Sequence, residues 1–183
     1  MSESRKIAPR VAIVAAVLAV AFIVVLIVAS PDSQTDAESP LLGNPAPAIV
    51  TTTIEDQTFD LARRKGSWVV LNFFNSTCVP CRAEHPELLA FADAQASSDQ
   101  PVELYTVIND DSDGAVKAYF DEHGGSWPKL RDDNGSIAVA FGVARVPETW
   151  IIDPNGIVRQ RIAGEITATF LSSYLQQLRE QGL

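Results

Sequence analysis

Cysteine, histidine and methionine are scarce in this sequence: two, two and one among 183 residues. Two cysteines three positions apart close a loop too short to staple a fold, so stability has to come from an apolar core. The same scarcity argues against a metal centre. A zinc site needs more ligands than Cys78 and Cys81 supply, and of the two histidines only His85, not His123, lies near them in sequence. Covalent haem attachment needs a histidine directly after the second cysteine, where Arg82 stands. No cofactor is expected. Cations are also few past the N-terminus. Residues 31–183 hold 11 Lys and Arg against 22 Asp and Glu, because three of the chain's 14 cations and one of its 23 acids come earlier. A domain this acidic excludes nucleic acid and an anionic membrane surface as partners.

Charge is absent altogether from Val11–Ala29, which is nearly all Val, Ala, Ile and Leu. As a helix it is about 28 Å long, the thickness of a bilayer core. Arg5, Lys6 and Arg10 precede it; Asp32, Asp36 and Glu38 follow. That asymmetry predicts a cytoplasmic N-terminus and an extracytoplasmic remainder. A cleaved signal peptide is the competing reading, but its apolar region is normally shorter, and Pro31 directly after Val28-Ala29-Ser30 is a poor cleavage context. The expected organisation is a basic cytoplasmic tail (1–10), a single transmembrane anchor (11–29), a polar linker (30–42) and one folded domain (43–183).

Within the domain, Ala48–Thr53 and Thr58–Leu61 flank a polar turn and read as a hairpin. Trp68–Phe74 is a buried strand, apolar apart from Asn72. A helix is expected from Val79 to Gln95 with Pro86 kinking it, then a strand at Val102–Ile108 and an acidic loop at Asn109–Asp113. Helices follow at Gly114–His123 and Ser136–Phe141, the second capped by Asn134 or Ser136. Glu148–Ile152 and Gly156–Ile162 flank Asp153-Pro-Asn-Gly156, a strong hairpin signal. Thr167–Gln181 is an amphipathic helix turning Phe170, Leu171, Tyr174, Leu175 and Leu178 inward. The order β-β-β-α-β-α-α-β-β-α predicts an α/β domain with a mixed sheet covered on both faces.

The chemistry centres on Asn75-Ser-Thr-Cys78-Val-Pro-Cys81-Arg-Ala-Glu84-His-Pro86. A Cys-x-x-Cys pair sits where a strand turns into a helix. Unpaired N–H groups and the helix dipole stabilise a thiolate there and lower its pKa. Cys78, at the exposed tip, is the expected nucleophile on a partner's disulfide; Cys81, one turn in, is the expected resolving thiol. Pro80 suits the first turn, having no N–H to lose. His85 reads as a helix-surface residue, and Trp68, Trp127 and Trp150 as core.

These segments resemble the membrane-tethered thioredoxin-fold oxidoreductases of the TlpA/ResA/DsbE (CcmG) group. The resemblance rests on Leu71–Pro86 with its proline five residues past Cys81, on Gly142-Val-Ala-Arg-Val-Pro147-Glu-Thr-Trp-Ile-Ile-Asp153, and on Asn155–Gly164. It rests also on an insertion at about 112–142. It implies a thioredoxin fold with an N-terminal β-hairpin and a central βα-type insertion. It further implies a redox-active Cys78–Cys81 disulfide and a cis Val146–Pro147 bond opposite it that forms a partner-binding groove. Two departures stand out. Thr77 replaces a common tryptophan before the first cysteine. Asn72 replaces the buried acid of thioredoxin and cannot take the proton of Cys81. Glu84 matches a family acid, lies at i,i+3 from Cys81, and is the candidate for that exchange; a solvent-facing glutamate is the plainer alternative. A peroxidase of the related peroxiredoxin type would carry Pro and Thr at the positions of Leu71 and Asn75.

The group's role implies an extracytoplasmic reductant in cytochrome c maturation. It would act on apocytochrome c or a maturation factor and draw electrons from a membrane thiol–disulfide donor. An oxidase inserting disulfides into exported proteins uses the same residues and differs only in redox poise. A non-catalytic thiol- or metal-binding module is the alternative of another class.

Overall fold

The computed structural model describes residues 15–22, 35–36 and 39–182. Residues 15–22 are helical (α1) and belong to a separate unit, Met1–Asp32. Val17, Leu18, Val20 and Phe22 on it are exposed. Among the described residues no helix is long and apolar enough to cross a membrane; most of the predicted anchor, 11–29, lies outside them.

The second unit, Ser33–Leu183, begins with β1 (Thr35–Asp36), the hairpin β2 (Val50–Thr52) and β3 (Thr58–Asp60), and a 3₁₀ turn (Leu61–Arg64). Then come β4 (Val69–Phe74), α2 (Val79–Ala96), β5 (Glu103–Ile108) and α3 (Asp113–His123). The chain ends with β6 (Lys129–Leu130), α4 (Ser136–Phe141), β7 (Glu148–Ile152), β8 (Val158–Ala163) and α5 (Ala168–Glu180). Six strands form one sheet in the order β1-β8-β7-β4-β5-β6. β4 is central, parallel to β5 and antiparallel to β7.

All six β4 side chains are buried, as its near-continuous apolar run requires. They alternate between two cores. Val70 and Phe74 pack with Leu88 and Phe91 of α2, Phe120 of α3 and Leu171 and Leu175 of α5. Val69, Leu71 and Phe73 face the other way, toward Ile49, Phe59, Phe141 of α4 and Trp150. The mixed sheet with cover on both faces is therefore present.

Two strands escaped the periodicity. β6 pairs Lys129 with Thr106 and Leu130 with Val107. β1, inside the expected linker, pairs Thr35 with Ala163 and Asp36 with Ile162. A strand of two residues shows no alternation to read. The cap of α4 also differs. The carboxylate of Asp132 accepts from the N–H groups of Ile137 (2.9 Å) and Ala138 (2.8 Å), Asn134 Oδ1 accepts only from Ser136 N, and the Ser136 side chain is not the cap. α2 runs on through Pro86. Trp68, Trp127 and Trp150 are all core.

Candidate active site

β4 delivers the chain to the N-terminus of α2, and Cys78 is its N-cap residue. Its Sγ accepts from the N–H of Cys81 at 3.2 Å, one of the donors a helix start leaves open. Cys78 and Cys81 form a disulfide. Cys78 is half-buried and Cys81 fully buried, the asymmetry the attacking and resolving roles require. Val79, between them, is 77% exposed and presents an apolar surface beside Cys78.

Two loops frame the pair. The Val146–Pro147 peptide is cis, and Val146 O lies 3.6 Å from Cys78 Sγ. On another side, Asp111 Oδ2 accepts from Ser76 N at 2.6 Å, and Asn75 Nδ2 donates to the carbonyls of Asn109 (3.0 Å) and Asp110 (2.8 Å). Asn75 Oδ1 closes the turn by accepting from Thr77 N. Asn75 and Asp111 thus fix the approach to Cys78. Sequence reasoning passed over them; the signal was an Asn–Ser–Thr turn facing an acidic loop.

Glu84, three residues past Cys81 on α2, is only 1% exposed. Its Oε1 accepts from Asn72 Nδ2 at 2.6 Å and its Oε2 from the N–H of Ile166 at 2.9 Å. Asn72 Nδ2 also donates to Thr149 Oγ1 at 3.1 Å. Burial pushes the Glu84 carboxyl up to about 8; the two hydrogen bonds pull it down and the charge of Glu165 adds to the rise. The plain solvent-facing reading of Glu84 therefore does not hold.

His85 corrects the sequence reading. It is 2% exposed, not on the helix surface. Its Nε2 lies 3.1 Å from Gly124 O, and the rings of Tyr119, Phe120 and Trp127 surround it with centroids 5.1, 5.1 and 5.9 Å away. Burial lowers its pKa. The cause is α3, which lies over this face of α2 and which α2's own pattern cannot reveal. Among the described residues no group of three His, Cys, Asp or Glu is placed to hold a metal ion. A cavity of about 260 Å³ opens beside Pro47, Leu61, Lys65 and Val69, at the far end of β4 from Cys78.

A model of the AhpC/TSA family matches residues 42–161. The thiol-disulfide oxidoreductase ResA of Bacillus anthracis is 32% identical over 143 residues, 78% of this chain and 82% of that protein. The thiol:disulfide interchange protein DsbE of Pseudomonas aeruginosa is 32% identical over 146 residues, 78% of each chain. Among solved structures, StoA from Bacillus subtilis superposes with a TM-score of 0.61 at 24% identity, over 74% of this chain and 99% of that one. A thioredoxin domain of a thiol-disulfide oxidoreductase from Bacteroides vulgatus gives 0.65 at 24% identity, over 76% and 99%. The sheet is that of the thioredoxin fold. With a Cys-x-x-Cys disulfide at the start of α2 and this similarity over most of its length, the chain belongs to the AhpC/TSA family and is a thiol–disulfide oxidoreductase of the ResA/DsbE type.

Proposed function

We propose that this oxidoreductase works as a reductant of disulfides outside the cytoplasmic membrane, serving cytochrome c maturation. The observation that carries the mechanism is the order along the start of α2: half-buried Cys78, buried Cys81 and, three residues on, a buried Glu84 that has, among the described residues, no cation. The Cys78 thiolate, favoured by the helix N-terminus, attacks one sulfur of the partner's disulfide and expels the other as a thiolate. The partner segment lies extended along Val146–Pro147. Cys81 then loses its proton to Glu84 and attacks Cys78 Sγ. That step closes the Cys78–Cys81 disulfide and releases the second partner thiolate. The protein dithiol is oxidised by two electrons and the partner reduced by two. The raised pKa brings the Glu84 carboxylate closer to a thiol in proton affinity than an ordinary carboxylate is, which makes it the better base for Cys81.

The relatives named ResA and DsbE support apocytochrome c, or a factor that prepares it, as the partner, and a membrane thiol–disulfide protein as electron donor. The charge pattern around 11–29 supports an uncleaved anchor with 1–10 in the cytoplasm, 30–42 as spacer and 43–183 on the extracytoplasmic side. Trapping tests the mechanism. Cys81→Ser accumulates a mixed disulfide with the partner, and Cys78→Ser reduces nothing. A Cys78→Ser protein that still reduces a disulfide substrate overturns it.

A further inference from the structure

Glu84 is held by two groups, Asn72 of β4 and the N–H of Ile166, with Thr149 of β7 behind Asn72, and their donor–acceptor pattern is informative. Ile166 N–H can only donate, so Oε2 must remain an acceptor whatever the protonation state. The C=O oxygen of a neutral carboxyl is its stronger acceptor, which assigns that role to Oε2 and the proton to Oε1, facing the Asn72 amide. Oriented as in the structure, Asn72 offers that atom an N–H, which suits only the carboxylate. Its own Oδ1 is buried with no hydrogen-bond partner. The 2.6 Å separation from Oε1 is short for N–H···O and typical of O–H···O. On the far side stands Thr149 Oγ1, a hydroxyl that can accept or donate.

We infer that Asn72 is a positioning residue that follows the proton of Glu84: its amide turns by half a rotation as the carboxyl gains or loses its hydrogen, and Thr149 reverses its hydroxyl to match. With Glu84 ionised, Nδ2 donates to both Oε1 and Thr149. With Glu84 neutral, Oδ1 accepts from both Oε1–H and the Thr149 hydroxyl. Each state uses one end of the amide twice and leaves the other end idle, so the rotation exchanges one unpartnered atom for another. Both forms of a buried acid are thereby hydrogen-bonded, which a carboxyl that must cycle during catalysis needs and a fixed donor does not provide. Asparagine suits this position because its two ends differ in hydrogen-bonding role and not in shape. Other ionisable groups near Glu84 do not take over the task. Glu165, on the β8–α5 loop, only repels its charge; Glu87, one turn on, is engaged by Ala168 N at 2.8 Å; Cys81 is one turn before it. The role rests on the proposed proton exchange between Glu84 and Cys81, but the rotation itself can be observed without any redox turnover.

The test is a side-chain NMR titration of the full oxidised chain from about pH 6 to 10. Both the Glu84 carboxyl carbon and the Asn72 amide are followed. The expected result is one common midpoint, with the Asn72 N–H₂ protons losing their hydrogen-bonded shift on the acid side. An Asn72 amide that stays unchanged while Glu84 titrates overturns the inference. Asn72→Leu supplies a second reading. A donor serving the carboxylate alone makes this change raise the proton affinity of Glu84 about tenfold or more. An amide serving both states leaves it within about threefold. Should that variant not fold, the titration of the unaltered chain decides. Co-titration with no effect of Glu84→Gln on mixed-disulfide resolution would retain the rotation and reject the proton exchange instead.

Discussion

Three carboxylates are buried to the same degree in this domain, and they are treated differently. Glu148, Asp153 and Glu84 are each 1% exposed. Glu148, at the start of β7, receives Arg161 at 3.0 Å and the Trp150 indole N–H at 2.8 Å. Asp153, in the β7–β8 turn, receives Arg159 at 2.6 Å and the N–H groups of Asn155 and Ile157. Glu84, three residues past Cys81 on α2, has an amide and one backbone N–H and, among the described residues, no cation. A buried charge with a guanidinium is a fixed structural element, whereas a buried acid without one is free to hold its proton near neutral pH. The molecule contains both kinds, and only the second lies beside a cysteine.

The largest effect expected from breaking this contrast is on the paired side. Arg161→Met leaves Glu148 buried without its cation and removes the guanidinium stacked 5.4 Å from the Trp150 ring. Urea unfolding should show a loss of about 3–5 kcal/mol. A loss no greater than that of an exposed arginine would mean that the pair is not structural.

Glu84 gives the next effect, and it depends on pH. Its folded pKa, about 8, lies above the ordinary glutamate value it has in the unfolded chain, so the folded state binds the extra proton. Stability is therefore greatest below the unfolded value and declines as pH rises toward 8, by up to about 1.4 kcal/mol per pH unit. Glu84→Gln removes that slope and makes the protein more stable than wild type at pH 8. The same change slows release of the mixed disulfide about 100-fold in stopped-flow assays. A wild-type stability that is flat from pH 5 to 8 contradicts the raised pKa.

His85→Phe is milder. It forfeits the bond to Gly124 but also removes Nδ1, which is buried without a partner. A ring of similar volume should change thermal stability by less than about 1.5 kcal/mol. The smallest effect belongs to the exposed pair of Lys117 and Asp121, 2.8 Å apart on α3. Lys117→Ala should leave the unfolding midpoint in the same assay unchanged within error, because solvent screens the pair.

Much of this contrast was legible from residue order, and its decisive half was not. The Cys78–Cys81 position followed from a buried apolar run meeting a helical one, and Glu84 from resemblance to a family acid together with its place one turn past Cys81. The cis bond at Pro147 came only from resemblance. The burial of Glu84 comes from α5 and the Ile166 loop, which approach it from 82 residues away in sequence. Thr149 reaches Asn72 across 77 residues. Helical periodicity describes one element's faces and is silent about which neighbour covers them, which is why His85 was misread once α3 is taken into account. β1 and β6 failed for another reason: two residues define no period.

The reduction potential of the Cys78/Cys81 couple tests the central claim most directly. Equilibrating the protein with glutathione or dithiothreitol buffers gives it. A value near or below roughly −220 mV is predicted for a reductant of this type. A value approaching about −120 mV would contradict that direction and make the protein an oxidase.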